Sequence, residues 1–66
     1  MTWTDSILLA EHLERRMPDV DPLTIRFPDL IRWVQSLDGF AGASKPESAQ
    51  LLEAIQRAWY AHTQGR

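Results

Sequence analysis

The chain has no cysteine, only three glycines, no cluster of lysine or arginine, and no apolar run near the ~20 residues needed to span a bilayer. Without thiols it forms no disulfide and holds no metal or cluster through sulfur. None of the glycines sits in a phosphate-cradling loop, and no nucleophile stands beside a base in the sequence. The serines and threonines fall at caps and turns, where helix chemistry accounts for them. His12 and His62 stand alone and read as surface or helix-edge residues, so no catalytic set emerges. The absence of a basic block removes the footprint of a nucleic-acid binder. The start, Met1-Thr2-Trp3-Thr4-Asp5, lacks the basic opening and apolar stretch of a secretion signal. With no cysteine, a reducing, cytoplasmic setting is expected.

What is present describes one small domain. The chain has 66 residues, and a domain this short hides only ~60% of its extended-chain surface. At 44% hydrophobic with three tryptophans, it is too apolar to remain disordered. Nine acids against seven bases give a net charge of −2, a mild argument against nucleic acid and anionic membranes. Asp5, Glu11, Glu14, Asp19, Asp21 and Asp29 all precede residue 34, so the first half carries that charge.

Proline and glycine divide the chain into three helical segments. Thr4 reads as the N-cap of the first, with Asp5 at the positive end of its dipole. Trp3 and Leu8 then have the spacing of a hydrophobic staple. Leu9, Ala10, Leu13 and Met17 share one face, and Pro18 closes the segment. Between Asp19 and Pro28, two X-Pro steps make an irregular connection. There the alternation of Leu23, Ile25 and Phe27 allows one or two very short extended segments. Pro28 opens the second helix, with Asp29 in its first turn and Leu30, Trp33, Val34 and Leu37 as its apolar stripe. Gly39 reads as the positive-φ stop, with Phe40 packing back near Val34. Ser44-Lys45-Pro46-Glu47 has capping-box spacing, predicting a third helix from about Lys45 to about His62. Its inner face is Leu51, Leu52, Ile55, Ala58, Trp59 and His62. Residues 63–66 are expected to fray. The fold class is therefore mainly α, a three-helix bundle in a helix-turn-helix or winged-helix-like arrangement, with Trp33 and Trp59 central.

Asp19-x-Asp21 offers oxygen ligands but lacks the glycine and distant glutamate of a calcium loop. The residues leave two readings of the acids: caps and solvated surface, or a shallow face that meets a basic partner or loosely holds iron. The candidate cations for a DNA-reading face, Arg26, Arg32, Lys45 and Arg57, are scattered among acids. A small nucleic-acid-binding or dimerisation module is the alternative to an adaptor.

Taken together, Trp3-Thr4-Asp5, Pro18-Asp19-x-Asp21-Pro22, Thr24-Ile25-Arg26-Phe27-x-Asp29-Leu30, Trp33-Val34, and Leu52-Glu53-Ala54-Ile55-x-x-Ala58-Trp59 resemble the IscX (YfhJ) family of small acidic iron–sulfur cluster assembly proteins. The resemblance runs from about residue 3 to about residue 60. It implies a helical, winged-helix-like domain with no catalysis of its own and no tightly bound cofactor. It also implies a monomer that binds the cysteine desulfurase of the cluster-assembly system and holds iron weakly through surface carboxylates. Asp5, Glu11, Asp19, Asp21, Asp29 and Asp38 match positions where the family carries acids. On that basis Asp5, Glu11, Asp29 and Asp38 are the expected partner contacts, and Asp5, Glu11, Asp19 and Asp21 the expected weak iron ligands. The chain departs from the family at Ala41-Gly42-Ala43-Ser44-Lys45, where a run of aspartates is common, and at Arg15 and Arg16. Trp3 and Phe40 are expected to be structural.

Overall fold

The apolar stripes close on a common centre. A computed structural model describes residues 1–65, with helices α1 (Ser6–Arg16), α2 (Phe27–Gln35) and α3 (Ala49–Gln64) and a 3-10 turn at Pro22–Thr24. α1 packs chiefly on α3, the 3-10 turn also rests on α3, and α2 touches both long helices more lightly. Leu9, Ala10 and Leu13 of α1, Leu30 and Val34 of α2, and Leu52, Ile55 and Trp59 of α3 form the centre of the core, with Trp3 and Leu37 sealing it. Among the described residues no strand forms, so extended backbone is confined to short stretches such as Ile25 and Arg26, and no sheet wing is present.

The helix ends differ from the sequence expectation for identifiable reasons. Asp5, not Thr4, is the N-cap of α1. Its carboxylate turns back to accept the Thr2 N–H at 2.8 Å, while the Thr4 and Thr2 hydroxyls hydrogen-bond each other at 3.0 Å. The expected Trp3–Leu8 staple falls with that shift: Leu8 is exposed, and Trp3 is buried on the other side. The Trp3 indole N–H donates to the Ala43 carbonyl at 2.8 Å, and its ring meets Phe40 edge-on with centroids 4.9 Å apart. At the other end Met17 leaves the helix, as Pro18 requires, with its N–H still reaching the Leu13 carbonyl.

The connection to α2 is tied by side chains. The Asp21 carboxylate accepts the Leu23 N–H at 3.0 Å and caps the 3-10 turn, which replaces part of the expected extended run. From α3, Gln56 Nε2 donates to the carbonyls of both Pro22 and Ile25, each at 3.1 Å. α2 begins at Phe27, one residue before Pro28, and ends at Ser36 rather than Gly39. Arg16 Nη1 donates to the Ser36 carbonyl at 3.0 Å, placing positive charge at the negative end of the α2 dipole. Gly39, with φ +84°, is used one step later, in a turn closed by the Phe40 N–H on the Leu37 carbonyl. Trp33, expected at the centre, is only half-buried, and Trp3 is the second buried indole besides the central Trp59.

Residues 41–48 run irregularly instead of opening the third helix. The Ala41 N–H donates to the Met1 carbonyl at 2.7 Å, and the Met1 ammonium to the Gly39 carbonyl at 2.9 Å. Gln35 Nε2 holds the Ser44 carbonyl at 2.6 Å. With that segment engaged, the Ser44–Glu47 capping box does not form, and α3 starts after Ser48, whose side chain makes no cap bond. His62, expected on the inner face, is exposed. The helix continues through Thr63 to Gln64, so the frayed tail expected over 63–66 is helical at its start; Arg66 lies outside the described residues.

Candidate functional site

Charge is the first thing the fold sorts. Asp5 stands at the N-terminus of α1 and Glu11 on its second turn, and both line one shallow depression with Thr4, Ser6, Ile7 and Leu8. Asp19 and Asp21 line another, beside Tyr60, Thr63 and Gln64. Asp29 lies in the first turn of α2, and Asp38 is exposed in the Gly39 turn. The four carboxylates expected to hold iron are therefore divided into two pairs in two separate depressions. Among the described residues, no three His, Asp or Glu side chains gather as a metal-binding group.

The four expected partner contacts are also unequal. Asp29 lies 3.7 Å from Arg32 on the next turn, both well exposed, a pair worth little to stability but enough to blunt the local field. Glu11 lies 3.9 Å from His62 Nε2 across the α1–α3 seam, an ion pair only when the imidazole is protonated. Among the described residues, neither Asp5 nor Asp38 has a cation within 4 Å. Arg16, a cation that threatened to neutralise α1, is drawn to the Ser36 carbonyl. Glu14 is likewise engaged, accepting the Trp59 indole N–H at 2.8 Å. The cleanest negative ground is therefore the start of α1, with Asp5 and Glu11.

The cations of the alternative reading stay apart. Arg26 precedes α2, Arg32 lies on α2, Lys45 is in the irregular segment and Arg57 is on α3. The depression that Lys45 joins, against Trp3, Gly42 and Leu51, also contains Glu47. No helix of the described residues is long and apolar enough to cross a membrane.

Sequence reasoning missed two members of this surface. Ile7 is 68% exposed and Leu8 44%, both beside the acids. The signal was available, since neither residue falls on the Leu9-Ala10-Leu13 stripe, but the staple assigned Leu8 a structural duty that it does not have.

The chain as a whole is similar to known proteins in two ways. The family model described as "Iron-sulphur cluster assembly" matches residues 1–64. An uncharacterized protein of Pseudomonas aeruginosa strain PAO1 is 41% identical over 59 residues, covering 89% of each chain.

Proposed function

Since the chain belongs to the iron–sulfur cluster assembly family known as IscX, we propose that it is a non-enzymatic cytoplasmic adaptor that docks on a cysteine desulfurase and modulates it. The observation that carries the reading is the start of α1, where Asp5 and Glu11 share one exposed depression with no arginine or lysine within 4 Å among the described residues. Such a surface meets a basic enzyme face through steering, which raises association rate and makes binding salt-sensitive. Asp38 extends the negative ground from the Gly39 turn, and Asp29 contributes less because Arg32 stands beside it.

Iron enters this proposal as weakly held cargo. Asp5 with Glu11, or Asp19 with Asp21, offers two carboxylates to a hard cation, with solvent completing the shell. Two separate pairs correspond to loose, multi-site binding rather than one stoichiometric centre.

The test is a titration of isotope-labelled protein with the desulfurase of its own cell and, separately, with ferrous iron. Amide shifts around Asp5, Glu11 and Asp38 at micromolar desulfurase, weakening as salt rises, are the expected result. No binding at low salt would sink the adaptor reading. Iron is expected to perturb the Asp5–Glu11 and Asp19–Asp21 neighbourhoods without saturating at one equivalent.

A further inference from the structure

Ile7 and Leu8 are the side chains of α1 whose positions the fold does not explain. Leu9, Ala10 and Leu13 already supply the stripe that α1 buries, and Ile7 and Leu8 point away from it. Isolated exposed apolar residues are ordinary, but two in succession beside an apolar groove form a patch. The groove, about 430 Å³, runs between the helices and is lined by Ile7, Ala58, Ala61 and His62. Its floor is low because α3 presents two alanines there. Ile7 also lines the depression that Leu8 shares with Asp5 and Glu11. Apolar centre and acidic edge are thus continuous, the arrangement of an interface whose anchors are surrounded by charge.

We propose that this patch is a docking site for a cationic amphipathic helix, an apolar stripe flanked by lysine or arginine. Charge selects that occupant over the others. A second copy brings the same net charge of −2 and no block of lysine or arginine to meet these carboxylates. An anionic lipid surface is repelled by the same two carboxylates. A helix with apolar anchors fills the groove over Ala58 and Ala61 while its cations meet Asp5 and Glu11. Arg15, one turn beyond Glu11, and Arg57, one turn before Ala61, bound the site, so the partner's basic residues belong at the N-terminal end of α1. That the desulfurase carries such a segment rests on the adaptor reading, whereas the chemistry of the occupant does not.

The experiment uses a synthetic helical peptide of leucine and lysine, a scrambled peptide of the same composition, and the desulfurase, each titrated into the labelled full chain. The helical peptide is expected to shift Ile7, Leu8, Glu11, Ala58 and Ala61, and the scrambled peptide to bind at least about tenfold more weakly. The Ile7→Ser/Leu8→Ser variant is expected to lose about tenfold in affinity for the helical peptide while remaining folded, with a thermal midpoint lowered by only a few degrees, since both side chains lie outside the core. Ala61→Arg, which puts a cation into the groove, is expected to do the same. Equal binding of both peptides, shifts elsewhere, wild-type affinity in both variants, or self-association through these residues would overturn the proposal. If the desulfurase binds wild type and the serine variant alike and the peptide signature is absent, the docking site is wrong and the adaptor reading stands. If it binds neither while the peptide signature holds, the adaptor reading fails and the docking site stands.

Discussion

Trp59 has no exposed surface, yet its indole N–H reaches Glu14 Oε2, so one side chain both fills the core and ties α3 to α1. Trp59→Phe removes part of that volume and a hydrogen bond to a carboxylate. We expect a loss of about 2 kcal/mol in urea unfolding. Gly42 carries a different constraint. A Cβ there would come within 2.5 Å of the Phe40 ring and 3.0 Å of Trp3, so Gly42→Ala must push the aromatic pair apart. About 2 kcal/mol of destabilisation is expected, with a changed near-ultraviolet dichroism from Trp3. Gly39→Ala meets open space apart from the Met1 side chain, and its cost, about 1 kcal/mol, comes from the positive φ alone. It should leave the Trp3 spectrum as it was.

At the scale of elements, the Asp21 carboxylate illustrates how structural and functional roles of an acid can be separated. It caps the 3-10 turn through the Leu23 N–H. Asp21→Ala should therefore cost about 1 kcal/mol, whereas Asp21→Asn keeps an accepting oxygen and should melt like wild type. Weaker ferrous-iron shifts in the asparagine variant would then report charge rather than folding. The same elements show what the sequence made legible. Each helix was readable because its stripe repeats at helical spacing: Leu9-Ala10-Leu13, Leu30-Val34 and Leu52-Ile55-Trp59 are all buried. The ends were not, because the expected capping side chains and segments found other partners, some near and some distant in sequence. Thr2 took the side chains of both Thr4 and Asp5, and Met1, Trp3 and Gln35 hold the segment that would have begun the third helix. The bonds made by Met1, Trp3 and Gln35 join segments apart in sequence and have no local signature. For the same reason, periodicity placed Trp33 at the centre and gave no sign that Trp3 would be buried.

For the molecule as a whole, the distribution of charge matters more than its net value of −2. All the candidate carboxylates were visible in the sequence, but the separation of Asp5 and Glu11 from Asp19 and Asp21 depends on how the connection folds against α3. If Asp5 and Glu11 steer the chain to a basic partner, Asp5→Asn with Glu11→Gln should slow association several-fold at low salt and flatten its salt dependence. Asn at position 5 retains an acceptor for the Thr2 N–H, so the fold is spared. Asp29→Asn should change the rate far less, because Arg32 already offsets that carboxylate. Stopped-flow measurements across a salt series distinguish the two.

The three indoles occupy three different surroundings: Trp59 sealed, Trp3 covered and hydrogen-bonded to Ala43, Trp33 partly open. The molecule consequently carries its own optical probes. A soluble quencher reaches Trp33 well ahead of the other two, so intrinsic emission can report a ligand covering α2 without any attached dye.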